Sequence, residues 1–326
     1  MSDRALPIVY SPRYHIDIGH HVFPTEKYGR VRAALDAMPF RCELIEPEPA
    51  SWDDLALVHT REYLTKMRTG TLAPTEIAEL ELPWSEEMVF GFRVMVGGTI
   101  AAARVACRND LTPDAPHARS HHPSSDSLAR RALKVVCHVG GGLHHAFANH
   151  GEGFCPFNDV AVAVRMLQAH GLERVSIVDL DVHHGNGTSF IFESDPRVFT
   201  FSMHQQHNYP VFKPRSALDI GLADGAHDET YLHALEGALP KVLASNPQCI
   251  FYLAGADPYE DDLLGGLRLT KDGLRRRDRM VLDAAASVRV PLVVTLAGGY
   301  ARNVDDVVAI HVATIEEAAA VAGRFD

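Results

Sequence analysis

The five cysteines, Cys42, Cys107, Cys137, Cys155 and Cys249, include no C-x-x-C pair. An odd, dispersed set makes a poor disulfide framework and fits a reducing compartment. The chain lacks any run of about 18 apolar residues, so no membrane-spanning helix is expected. No apolar run follows the charges at Met1 to Pro7, so no secretory leader is expected, and a cytoplasmic location follows as an expectation. Basic charge is in the minority: 31 Lys and Arg against 42 Asp and Glu give a net charge of −11. A nucleic-acid binder would show a basic patch, and none is present. The basic run Arg275-Arg276-Arg277 stands near Asp272 and Asp278 and reads as the solvated face of a helix. Net acidity favours cationic partners such as a lysine-rich peptide or a polyamine. Oligomeric state leaves no mark in the sequence.

What is present is an ordinary globular composition, 46% hydrophobic and 22% charged. Its 326 residues would suit two average domains, but α/β folds often run this long as one, and one domain over 1–326 is expected. Short runs rich in β-branched and aromatic residues predict strands over Lys134–Val139, Val175–Leu180, Val198–Phe201, Ile250–Leu253 and Pro291–Leu296. Helical stretches at Val160–Gln168, Glu229–Ser245 and Leu274–Ala286 separate most of them. The alternation predicts a three-layer α/β/α fold around a mainly parallel sheet. From Asp110 to about Ala129 the chain is rich in Pro, Ser, His and Asp without apolar period, and reads as a mobile polar insertion. Its His117, His121 and His122 read as solvated.

In a parallel sheet, sites form beyond the carboxyl ends of the strands. Four predicted strands run into polar or glycine-rich clusters: Gly140-Gly141-Gly142-Leu143-His144-His145, Asp181-Val182-His183-His184-Gly185-Asn186-Gly187, Ala254-Gly255-Ala256-Asp257 and Ala297-Gly298-Gly299-Tyr300. Alternation along an extended chain puts Asp179, Asp181 and His183 on one face. With Asp257 as a third ligand, Asp181 and His183 would hold one divalent ion and leave a position open for water, as a catalytic zinc needs. His144 and His145 are a candidate general base and acid, with Asp179 and Asn186 as acceptors that fix their tautomers. Tyr300, on a glycine turn, is a candidate hydrogen-bond donor to an oxyanion.

These motifs resemble those of the zinc-dependent histone deacetylase family, within the arginase–deacetylase superfamily. The likeness runs over nearly the whole chain. It begins with Tyr10-Ser11-Pro12-Arg13-Tyr14 and His20-His21-Val22-Phe23-Pro24 and continues through the two histidine clusters. It extends through Gly153-Phe154-Cys155-Pro156-Phe157-Asn158-Asp159, Leu264-Gly265-Gly266-Leu267 and Gly298-Gly299-Tyr300. Tyr209-Pro210 and Leu218-Asp219-Ile220 look most like bacterial relatives of class IV. The resemblance implies zinc, or iron in the cell, on Asp181, His183 and Asp257. It implies structural potassium at Asp179, Ser202 and Met203. His145 would be the base and then the acid, and His144 on Asp179 would tune it. Tyr300 would bind the oxyanion, while Phe154, with Gly153 and Gly142, would line the tunnel for the acyl-lysine chain.

Two departures stand out. Phe90-Gly91-Phe92-Arg93 lacks the acidic residue that some members use to grip the substrate backbone. Asn186 stands where many class I members have Asp. The activity implied is removal of acyl groups, acetyl or longer, from lysine in a protein or peptide. An acylated small amine such as an acetylpolyamine is the alternative. A two-manganese ureohydrolase is disfavoured because Gly185 occupies the position of its next carboxylate.

Overall fold

The computed structural model describes residues 5–108, 111 and 135–322. The polar insertion expected at 110–129, with His117, His121 and His122, lies outside the described residues apart from Leu111.

Eight strands form one sheet: β1 (Leu6–Val9), β2 (Cys42–Ile45), β3 (Val135–His138), β4 (Val175–Asp179), β5 (Val198–Gln205), β6 (Leu218–Leu222), β7 (Cys249–Leu253) and β8 (Leu292–Thr295). Their order is β2-β1-β3-β8-β7-β4-β5-β6. Every pairing is parallel. The five strands read from apolar runs are all present, with boundaries shifted by a few residues. β2 and β6 have no such run to announce them, and in β1, Leu6-Pro7-Ile8-Val9, a proline interrupts it.

The central strands are buried along their whole length, as a parallel sheet covered on both faces requires. The helix Glu86–Ala106 packs across β1, β3 and β8 and against the helix Asp159–Ala169. The helix Val304–Ala322 packs on β3 and against the helices Lys27–Leu35 and Lys271–Ser287. The result is three layers, α/β/α. Among the described residues, Glu86–Ala106 is the one helix long and apolar enough to cross a membrane. About 72% of its apolar window is buried within the protein, as in the core helix of a large fold.

One expectation fails. Arg277 is not on a solvated helix face; it is fully buried. Its guanidinium pairs with buried Asp278 at 2.7 Å and donates from Nη1 to the Gly255 carbonyl at 2.6 Å. Tyr252 and Thr314 donate their hydroxyls to the same carboxylate, at 2.5 and 2.6 Å. A buried guanidinium persists only when paired and hydrogen-bonded, and here both conditions hold. Arg275 and Arg276 stay partly exposed and pair with Glu316, Glu317 and Glu229, as a solvated face would.

Candidate active site

The four clusters read from the sequence follow β3, β4, β7 and β8. These are the four contiguous central strands of the sheet, so their ends meet in one place.

β4 ends at Asp179, earlier than the alternation argument assumes. Asp181 and His183 therefore do not share a strand face. They lie in a bend held by side chain to backbone bonds two residues apart. The Asp181 amide donates to Asp179 Oδ1 at 3.2 Å, and the His183 amide donates to Asp181 Oδ1 at 3.0 Å. Such Asx-type turns give aspartate a local partner and curl the chain. The outcome still gathers the predicted ligands: atoms of Asp181, His183 and Asp257 lie within 4.8 Å of one another, and all three residues are buried.

Backbone donors brace this cluster. The Val182 amide donates to Asp257 Oδ1 at 2.9 Å, and the Gly298 amide to Asp181 Oδ2 at 2.8 Å. Gly298 and Gly255 are required by proximity. A Cβ at Gly298 would stand 1.9 Å from Asp257 Oδ2, and one at Gly255 2.8 Å from the Asp181 Cα.

The chemistry of these donors fits a divalent cation. Asp257 Oδ2 is buried and lacks a hydrogen-bond partner, which is costly unless something positive meets it. Burial and the facing Asp181 charge push the Asp257 carboxyl up to about 7. Burial opposes charge on His183, yet Asp181 and Asp257 raise it to about 10. Two carboxylates and an imidazole thus share a dry pocket in which a proton stands in for a cation. Two oxygens and one nitrogen suit several divalent metals.

The histidines sit beside this cluster. β3 leads into Gly141 and Gly142, both at positive φ (73° and 80°), where a side chain would be strained. At Gly142 an added Cβ would also meet Ala297 at 2.6 Å, so glycine lets the ends of β3 and β8 touch. Asp159 fixes the turn by accepting from the Gly142 and Leu143 amides at 3.0 and 2.7 Å. His144 Nδ1 then donates to Asp179 Oδ2 at 2.7 Å, and His145 Nδ1 faces Asn186 Oδ1 at 2.7 Å. The two Nε2 atoms are 3.1 Å apart. Burial disfavours charge on both rings. The Asp179 and Asp181 charges override it at His144 and raise its pKa to about 9. Burial and the neighbouring His144 and His183 charges hold His145 well below 6.5. The environment splits two chemically identical rings into one cationic and one neutral.

A cavity of about 30 Å³ opens among Gly142, His144, His145, Gly153, Phe154, Asp181, His183 and Tyr300. That is room for one or two waters beside the histidines. Phe154, at φ +65°, carries its ring against Phe23 (centroids 6.1 Å apart, interplanar 11°) and Tyr300 (6.0 Å). Positive φ at a bulky residue is strained, and it aims the ring into the cavity wall. Asp262 pins the Tyr300 amide at 2.7 Å and those of Leu264 and Gly265 at 2.8 and 2.9 Å. Asp179 and Ser202 are register partners across β4 and β5, with Met203 next along the strand and fully buried. Phe90-Gly91-Phe92-Arg93 lies within the helix Glu86–Ala106, where Arg93 stacks over Trp52 and donates to the Ala50 carbonyl.

Several site residues give no signal in the sequence. Lys27 is fully buried, donates from Nζ to the Ala297 carbonyl at 2.9 Å, and lies over the Tyr300 ring at 5.6 Å. Burial lowers its amine to about 8 against the pull of Asp257 and Asp181. Asp262, Glu152 and Arg277 escape sequence reasoning too. None stands in a spacing that announces its role, and Arg277 is hidden in a run that reads as solvated.

The histone deacetylase domain model matches residues 21–315. An uncharacterized protein of Picosynechococcus is 39% identical over 310 residues, 94% of this chain and 95% of that one. Histone deacetylase 2 of Arabidopsis thaliana is 31% identical over 320 residues, covering 93% and 76%. Among solved structures, an acetylpolyamine aminohydrolase from Burkholderia pseudomallei superposes with a TM-score of 0.73 at 20% identity, covering 97% of this chain and 99% of that one. At that identity the likeness speaks to the fold.

Proposed function

The chain belongs to the histone deacetylase family, hydrolases acting on amide bonds, and on that premise we propose that it removes acyl groups from lysine side chains with the help of a divalent metal, zinc in the first instance. The observation that carries this reading is the convergence in one cavity of the buried Asp181, His183 and Asp257 cluster with a histidine pair, His144 held by Asp179 and His145 by Asn186, whose Nε2 atoms are 3.1 Å apart.

Asp181, His183 and Asp257 would hold the metal. When bound, it supplies Lewis acidity that polarises an acyl carbonyl and makes water acidic enough to ionise near neutral pH. The remaining work falls to the chain. His145, unprotonated at Nε2, takes the proton of the attacking water and returns it to the leaving amine. His144, held as a cation by Asp179, places fixed positive charge beside the developing negative charge. Tyr300 donates its hydroxyl hydrogen to the oxyanion in a site shielded from water, where such contacts count most. Its phenol is held well above its ordinary pKa by burial and the nearby Asp181 and Asp257 charges, so it stays a donor at neutral pH. Asp179, Ser202 and Met203 would hold potassium, which would stiffen the turn that carries the ligands. The acidic net charge favours a cationic partner.

The test is hydrolysis of acyl-lysine peptides and acylated polyamines from acetyl to myristoyl, with and without a chelator. Chelator-sensitive turnover of peptides supports the reading, and the chain-length profile defines the acyl pocket. Turnover of polyamines alone would move the assignment to small amines. Tyr300→Phe should fold, bind zinc and lose about 100-fold or more in kcat, the usual cost of removing one oxyanion donor. Near wild-type turnover in that variant would remove Tyr300 from the mechanism.

A further inference from the structure

An asparagine beside a catalytic histidine poses a problem that an aspartate does not. Its amide has two unlike ends. If the carbonyl oxygen faces His145 Nδ1, that nitrogen carries the hydrogen and Nε2 is free to accept a proton. If the amide turns over, its NH2 faces Nδ1, the hydrogen moves to Nε2, and the ring no longer serves as a base. Asn186 is fully buried, so water cannot repair a wrong choice.

Something must fix the amide. Asn186 Nδ2 donates to Glu152 Oε1 at 2.8 Å, and the Tyr209 hydroxyl donates to the same oxygen at 2.9 Å. The second carboxylate oxygen of Glu152 lies 3.6 Å from His150 Nε2. An ionised carboxylate only accepts, so a turned amide would set its carbonyl oxygen against a negative oxygen. Burial works against the Glu152 charge, but bonds from His150, Asn186 and Tyr209 hold its pKa below the ordinary range. Tyr209 is tied into the same corner, its ring 5.1 Å from that of His145.

We propose that Glu152 is a positioning residue: through the Nδ2 of Asn186 it fixes the amide orientation, and thereby keeps the hydrogen of His145 on Nδ1 and off Nε2. Glu152 is neither a member of the metal-ligand cluster nor one of the residues that line the cavity; its side chain acts through Asn186. The role rests on the deacylase reading only for its consequence, since the tautomer itself is readable without turnover.

The experiment is a set of variants read by kinetics and by the ring-nitrogen spectrum of His145. Glu152→Ala should lower kcat about 10- to 100-fold, the range for lost outer partners, with KM within about threefold. A wrong tautomer bounds the loss near 10⁴. Its spectrum should show an Nε2–H population absent from wild type. Glu152→Gln keeps an acceptor for Nδ2 but can also turn and donate, so it should recover only part of the lost kcat and retain some Nε2–H population. Asn186→Asp offers an oxygen at either end, so in that background Glu152→Ala should cost less than about twofold. An unchanged Nδ1–H spectrum and wild-type kcat in Glu152→Ala would overturn the proposal. So would an equal loss with and without the Asn186→Asp substitution. Absence of hydrolysis of any acyl substrate would overturn the deacylase reading alone, because the spectrum still decides the orientation of the amide.

Discussion

Gly298→Ala adds one methyl group at the floor of the site, and its cost can be worked from distances. Gly298 does not sit at positive φ, so alanine brings no left-handed strain and the main effect is contact. The new Cβ would stand 1.9 Å from Asp257 Oδ2 and 2.5 Å from Asp181 Oδ2, where real Cβ atoms keep at least 3.0 Å. Relief requires the Asp257 oxygen to retreat by roughly 1.1 Å, against a tolerance of about 0.2 Å in metal–ligand distances. Disturbing a mere outer partner of a ligand costs about 10- to 100-fold in affinity. Displacing a ligand by several times the tolerance should cost at least about 100-fold, or about 2.7 kcal/mol. The assay is competition for zinc against a chromophoric chelator, with thermal unfolding beside it. At a free zinc concentration of about 100 Kd, wild type gains about 2.7 kcal/mol of stability, and the variant should gain almost nothing. Gly237→Ala is the control. Its Cβ meets nothing within 4 Å, so zinc affinity and turnover should match wild type. A Gly298→Ala protein whose zinc affinity stays within tenfold of wild type would refute the assignment of these carboxylates as ligands.

Arg277→Met should destabilise the protein by about 3–5 kcal/mol in urea unfolding, because it strands the buried Asp278 carboxylate; a loss under about 1 kcal/mol would show that the pair is not a support. Acid should weaken the fold well above the carboxylate range. Burial holds His59 neutral, with a pKa of about 4 against 6.5 when unfolded, so its contribution is complete above pH 6.5 and is lost as pH falls toward 4. That shift is worth on the order of 3 kcal/mol, and His59→Gln should flatten the slope of stability between pH 7 and 4.5; an unchanged slope would reject His59 as its source.

The central sheet was legible because burial on both faces forces near-continuous apolar runs, as in Ile250-Phe251-Tyr252-Leu253 and Leu292-Val293-Val294. The edge strands were not. β2 reads Cys42-Glu43-Leu44-Ile45 and is half exposed, and β6, Leu218-Asp219-Ile220-Gly221-Leu222, alternates over only five residues, so neither shows the apolar run that marks the central strands. Glu86–Ala106 and Val304–Ala322 hid for the opposite reason. Each is buried on so much of its circumference that no polar stripe marks a helical period. At the site, residues in clustered motifs could be named in advance. Asp262, Lys27 and Glu152 could not, because their roles arise from partners tens to hundreds of residues away.

The strand order has a consequence for the order in which the molecule can be assembled. β3 and β7 do not pair; β8 lies between them. Until β8 is in place, the sheet is two pieces. One piece ends in the histidines and the other in Asp181, His183 and Asp257. A chain emerging from the ribosome therefore carries the proposed base on one fragment and the proposed metal ligands on the other, and the candidate site is incomplete until the last strand is laid in. The same gap leaves two apolar, unpaired strand edges facing water in any partly made chain, the kind of surface on which aggregation begins. β8 works as a keystone: one late step closes the core, removes the hazard and completes the candidate site together.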